Sequence, residues 1–311
     1  VSQVTDLVPA AGLRWLVVAQ PKTLLADPEF SRGVELLFPH SRLDVFAKAS
    51  GVDLRELASA CVAGFDLGTL YLAETRTEIG IAQQAFVDRL VSDPVIKHPG
   101  PGVTHITGII GTTPESFVAL DGFGLGVAVK DPTLSKIAAA FALGKLKKSP
   151  SALDGAALRE LPRAASLAPL RFYAPGPFGE PWASGAEGLL GRTLAVAISA
   201  TPQSGDRLRI EVILSGEYLP DFAAENERAR RSVERFEASA LGRLFGTSTE
   251  GAQKEVVVER TQVVLRVTLT TSRVFAGLHT AVAADAAEML ELRPSDRGDR
   301  SLPLSLPATT H

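Results

Sequence analysis

Apolar positions along this chain switch repeatedly between a period of two and a period of 3.6, the spacings of strands and helices. Leu13 to Ala19 (Leu-Arg-Trp-Leu-Val-Val-Ala) reads as a buried strand. Asp27 before Pro28 predicts a helix start, because a carboxylate satisfies free backbone N–H groups and proline suits the first turn. That helix runs towards Phe38. Ser41 is the expected cap of the next, which carries Leu43, Phe46 and Ala47 on one face and stops at Gly51. Asp53 predicts a short third one. Two strands follow near Ala60–Phe65 and Thr69–Ala73, turning at Asp66-Leu67-Gly68.

The same beat returns twice. A helix near Ile81–Val91 and the loop His98-Pro99-Gly100-Pro101-Gly102 lead to strands at Thr104–Ile110, Ser116–Leu120 and Gly124–Lys130. A helix from Pro132 to Leu146 carries the stripe Leu134, Ile137, Ala138 and Phe141. Residues 149–190 interrupt the rhythm with six prolines and a single expected strand at Leu170–Ala174. Beyond them Leu194, Val196 and Ile198, then Leu208, Ile210, Val212 and Leu214, alternate with small or charged residues, as one-sided strands do. A long helix from Asp221 to about Leu244, strands at Glu255–Glu259 and Val263–Thr270, and a helix near Ser272–Leu290 complete the pattern.

Strands this close in sequence pair antiparallel, since parallel neighbours need a crossover each time. The expected class is α+β, built from repeated helix-strand-strand units, with antiparallel sheets and helices packed on one face. The expected division is an N-terminal domain over 1–148, a Pro/Ala/Gly-rich connection over 149–190, a C-terminal domain over 191–291 and an extended tail over 292–311.

Composition narrows the function classes. A net charge of −3 gives no basic footprint for nucleic acid. The single cysteine, Cys61, lies in an apolar run, so no internal disulfide or thiolate cluster forms and no cofactor is implied. Nine lysines against 23 arginines, with Asn226 the only asparagine, is the usage of a GC-rich genome. No apolar run is long enough to span a membrane. The chain starts at Val1, which fits a processed exported chain, a lipoprotein lacking its anchoring cysteine, or a segment cut from something longer. The expectation adopted is export, to a periplasmic or outer-envelope location.

Catalytic patterns are sparse. The five histidines are scattered; His98 and His105 flank a Gly-Pro turn and could face each other. Gly246-Thr247-Ser248-Thr249-Glu250-Gly251 lacks the spacing and the preceding strand of a nucleophile elbow. Asp121-Gly122-Phe123-Gly124-Leu125-Gly126 leads into a strand, whereas a dinucleotide loop leads into a helix. Its spacing puts Gly122, Gly124, Gly126 and Ala128 on one side, a bare face for a packed neighbour or the floor of an apolar ligand groove. Lys145, Lys147 and Lys148 close the expected helix, where cations suit its C-terminal dipole or meet phosphate groups at a membrane surface. Tyr173, Phe178 and Trp182 sit in a stiff proline-rich loop of the kind that binds partners.

The run from Ser50-Gly51-Val52-Asp53 to Leu57, with Ala63-Gly64-Phe65-Asp66 to Ala73, resembles exported proteins of GC-rich bacteria over residues 13–75. That resemblance implies no activity. The function expected first is a non-enzymatic binding or assembly subunit of the bacterial cell envelope, lipoprotein included, with a protein partner or a second copy. The alternative is a carrier holding a lipid or other apolar ligand between sheet and helices. A hydrolase with scattered residues ranks third.

Overall fold

The alternating segments become the strands of one antiparallel sheet. The computed structural model describes residues 3–75, 79–161, 167–180, 183, 186–218, 222–247 and 253–291. Its strands are β1 (Leu13–Ala19), β2 (Ser59–Phe65), β3 (Thr69–Glu74), β4 (Val95–Gly100), β5 (Val103–Ile110) and β6 (Thr113–Leu120). They continue as β7 (Gly124–Val129), β8 (Leu170–Pro175), β9 (Thr193–Gln203), β10 (Arg207–Gly216), β11 (Gln253–Val258) and β12 (Gln262–Thr270). All twelve join in the order β11-β12-β10-β9-β8-β1-β2-β3-β7-β6-β5-β4. The β1–β8 pairing, Leu16 opposite Tyr173 and Ala19 opposite Leu170, links the strands before the proline-rich connection to those after it.

The helices are α1 (Pro21–Leu25), α2 (Pro28–Leu37), α3 (His40–Ser50), α4 (Ile79–Val87), α5 (Thr133–Ala142), α6 (Phe222–Ala238), α7 (Ala240–Phe245) and α8 (Thr271–Glu291). Asp27 caps α2 as its sequence predicts, accepting from the backbone N–H groups of Glu29 and Phe30 at 3.1 and 2.9 Å. Pro39, not Ser41, precedes α3, while Gly51 ends it at φ +72°. The single long helix expected from Asp221 is two, because the Ser239 hydroxyl caps a new start by accepting from Gly242 N–H at 3.0 Å.

The protein is α+β with an antiparallel sheet. On one face α4 packs over Phe117, Ala119 and Leu125. There α1, α2 and α8 cover Leu170, Leu208, Ile210 and Leu269, with the Phe275 ring edge-on to Phe30 at 5.0 Å. Ala229 of α6 meets Val196, Leu214 and Val263 on the same face. The other face carries α5 and the 3-10 turn Val4–Leu7, over Leu16, Leu70, Leu72, Val118 and Ala128. Farther along, that face is wet: Arg266 bridges Glu211 at 2.5 Å and Glu255 at 3.1 Å.

Two further local expectations differ from the structure. The loop expected at His98–Gly102 instead begins as the edge strand β4, paired with β5 through Val95–Thr107 and Lys97–His105. Proline lacks a ladder donor and is tolerated on an edge or at a bulge, and the register shifts between Lys97 and Gly100, where Pro99 sits. The helix expected to reach Leu146 stops at Ala142, with Gly144 at φ +65°. Lys145, Lys147 and Lys148 therefore lie in the turns beyond α5, not in its last turn.

Candidate functional site

The residues singled out from sequence are not gathered in one place. Gly124, Gly126 and Ala128 are buried on the face beneath α5, while Gly122 sits exposed in the β6–β7 turn at φ +74°. The space beside Gly126 is filled: a Cβ there would lie 2.5 Å from Leu72 Cδ2 and 3.0 Å from Val118 Cγ1. Tyr173 is buried in the core of that same face, and burial pushes its phenol up. Phe178 packs against the α6 cluster on the opposite face. Trp182 lies outside the described residues. The three lysines are exposed, and Lys145 Nζ donates to the Pro99 carbonyl at 2.9 Å.

His98 and His105 do not work together. His98 Nδ1 is 3.3 Å from Thr104 Oγ1, whereas buried His105 reaches Ser135 Oγ through Nε2 at 2.7 Å. Ser135 donates to Pro132 O at 3.0 Å and lies 2.6 Å from Ser116 Oγ. Since the Ser135 proton is committed to a carbonyl, His105 and Ser116 both donate to its oxygen. That fixes a neutral Nε2–H imidazole, and burial together with Lys136 and Lys97 holds its pKa down. Both serines and the histidine are buried, so the group ties α5 to β5 and β6 rather than presenting a nucleophile. Cys61 is buried too, its thiol pushed up to about 12 by desolvation.

The feature the sequence reading missed lies on the helix-rich face. Strand pairing aligns Tyr71, Val62, Val17, Phe172 and Ile198 in one row across β3, β2, β1, β8 and β9. Trp15 lies in the adjacent row, its indole across Gly64, where a Cβ would collide with the ring. The adjoining row of Ala60, Ala19, Leu170 and Ala200 is covered by helices. Among the described residues, none of the three buried clusters of this face takes in Tyr71, Val62, Val17, Phe172, Ile198 or Trp15. Tyr71 and Ile198 remain 45% and 36% exposed, and Trp15, Val17, Val62 and Phe172 are half-buried. The three buried clusters of this face, under α4, under α1, α2 and α8, and under α6, all stop short of the row. The sequence signal was present as uninterrupted apolar alternation, but periodicity does not say which apolar row goes uncovered.

A second apolar surface lies on α2 and α3. Although α3 has eleven residues, it buries none of them, and Leu36, Phe38, Val45 and Phe46 are exposed. A groove of about 260 Å³ between α1, α2 and α3 is lined by Leu25, Val34, Phe38 and Leu43 with charged neighbours. A larger cavity of about 590 Å³ opens at the far end of β9 and β10, lined by Arg192, Glu217, Arg260 and Thr261. Among the described residues, no three His, Cys, Asp or Glu side chains converge as metal ligands would, and no helix is long and apolar enough to cross a membrane.

No family model matches the chain, and no curated protein matches it. Solved structures of TP0453 resemble it in outline. Crystal form III gives a TM-score of 0.49 at 11% identity, covering 90% of this chain and 98% of that one. Crystal form I gives 0.49 at 10% identity, covering 90% and 97%.

Proposed function

We propose that this protein is a non-enzymatic binding subunit of the bacterial cell envelope that receives an apolar segment of a protein partner on the bare row of its sheet. The observation that carries the reading is the row itself. Five strands span four spacings of about 4.8 Å, a floor of about 19 Å. That is the length of an amphipathic helix of about 13 residues at 1.5 Å each. Contiguous apolar surface of this kind marks interaction sites in soluble proteins. The floor is recessed, because helices about 10 Å thick stand on either side. A second copy of the same recessed sheet could not reach it, whereas an inserted helix could.

The envelope placement rests on the resemblance over residues 13–75, a span that supplies Trp15, Val17, Val62 and Tyr71 to the row. The carrier alternative wants an enclosed apolar cavity of about 300 Å³ or more. The described residues that line the larger cavity are Arg192, Glu217, Arg260 and Thr261, none of them apolar.

The test is native mass spectrometry of the protein isolated gently from its own source, alongside the exposed-site variants Tyr71→Asp and Ile198→Asp. A protein partner present with the wild type and lost from both variants is the expected result. A partner that survives both substitutions refutes the placement. A small mass removed by organic solvent would replace it with the carrier.

A further inference from the structure

The 590 Å³ cavity lies away from the bare row and carries a different chemistry. Its walls come from three chain segments. Arg192 immediately precedes β9, Glu217 immediately follows β10, and Arg260 and Thr261 form the turn between β11 and β12. Backbone bonds fix these segments together. Gly216 N–H donates to the Thr261 carbonyl at 3.0 Å, and Tyr218 N–H to the Arg260 carbonyl at 3.2 Å.

Behind the cavity lies a buried carboxylate. Glu225, in the first turn of α6 and 2% exposed, accepts from Arg192 Nη1 at 2.7 Å and Arg228 Nη1 at 3.0 Å, both on Oε1. Its Oε2 is buried and makes no hydrogen bond among the described residues. Two cations on one carboxylate leave a positive surplus, and Glu225 fixes one edge of the Arg192 guanidinium while the residue also lines the cavity. Arg260 makes no ion pair or side-chain hydrogen bond among the described residues. Glu217 supplies the one carboxylate of the described lining. The deep layer is further held by Tyr218, whose hydroxyl donates to Thr193 Oγ1 at 2.8 Å while Thr193 donates to the Leu189 carbonyl at 2.9 Å.

We propose that this cavity binds a phosphate-bearing group between the guanidinium groups of Arg192 and Arg260, with Glu217 accepting from an ammonium or hydroxyl of the same ligand. Guanidinium forks match phosphate oxygens geometrically and bind them by charge-assisted hydrogen bonds. Thr261 offers a further hydroxyl donor. A carboxylate beside two arginines disfavours a bare polyanion and favours a zwitterionic phosphoester. That chemistry occurs free in solution and as a lipid headgroup, and the experiment separates the two.

The protein is titrated calorimetrically with O-phosphoethanolamine and with inorganic phosphate, and sedimented with vesicles of phosphatidylethanolamine and phosphatidylcholine. Arg260→Gln is the diagnostic variant, because the Arg260 side chain makes no ion pair or hydrogen bond among the described residues and the substitution keeps the backbone carbonyl that accepts from Tyr218. Glu217→Gln is the second. The expected result is binding of O-phosphoethanolamine with Kd about 1 mM or tighter, weakened about tenfold or more by Arg260→Gln at unchanged Tm. Glu217→Gln should weaken O-phosphoethanolamine but not inorganic phosphate. Vesicle binding that needs Arg260 without binding of the free ligand assigns the headgroup source. Free-ligand binding alone assigns a soluble one. Affinity unchanged by Arg260→Gln, or no binding in any arm at millimolar concentration, overturns the proposal.

Discussion

Substituting Gly126 by alanine tests whether the small-residue face of β7 is packed or open. The added Cβ would lie 2.5 Å from Leu72 Cδ2, 3.0 Å from Val118 Cγ1 and 3.1 Å from the Tyr71 carbonyl oxygen. Carbon atoms rest about 3.5–4.0 Å apart, so both methyl groups must withdraw, Leu72 by about 1 Å. Neither has room: Leu72 is 3% exposed and Val118 is fully buried beneath α5. Overpacking of this kind costs about 1–3 kcal/mol, against about 0.5–1 kcal/mol gained by removing a glycine from the unfolded chain. The net expectation is a loss of about 1–2 kcal/mol, read as a lower urea midpoint at unchanged m-value. Gly122→Ala is the control. Nothing lies within 4 Å of its Cβ, so only the φ of +74° should cost it, about 1 kcal/mol. Gly126→Ala at wild-type or higher stability would refute the packing argument. It would also restore this face as the floor of an apolar ligand groove.

Two further outcomes follow from buried titratable groups. His105 is held neutral by burial, with Lys136 and Lys97 adding to the effect, so its folded pKa lies below the ordinary 6.5. Its contribution is complete above pH 6.5 and is lost as pH falls from there through the lowered folded value, because the unfolded chain binds the proton first. His105→Gln should flatten the urea-midpoint slope between pH 7.5 and 5; an unchanged slope would sink the assignment. Tyr218 is pushed up to about 12, chiefly by desolvation, with the Glu225 charge adding to it. Stability should therefore fall as pH rises from 10 towards 12, while Tyr218→Phe loses that dependence and about 1 kcal/mol with the Thr193 hydrogen bond. Ultraviolet titration of the phenols checks it, and a Tyr218 that ionises near pH 10 would contradict the buried placement.

What the sequence determined by itself was local. Strand β1 over Leu13–Ala19, the Asp27 cap of α2, the end of α3 at Gly51 and the one-sided alternation of β9 and β10 all depend on residues within a few positions of one another. Antiparallel α+β architecture followed, because closely spaced strands have no room for crossovers. The edge strand β4 leaves no strand signal in the sequence, because proline and histidine look like a loop until β5 supplies a partner for one side only.

Tertiary structure alone decided which surfaces matter. Period two says that Val17, Val62 and Tyr71 share a face with Ala19, Ala60 and Ala73; it does not say that helices cover the alanine row and leave the other bare. It equally could not place α5 over Gly126. Arg192 and Glu225 stand 33 residues apart, and Arg260 joins them through the β10–β12 pairing and the backbone bonds just beyond it. A contact of that kind is fixed by the order of strands in the sheet, which is set by the packing energy of the whole chain and leaves no local periodic trace.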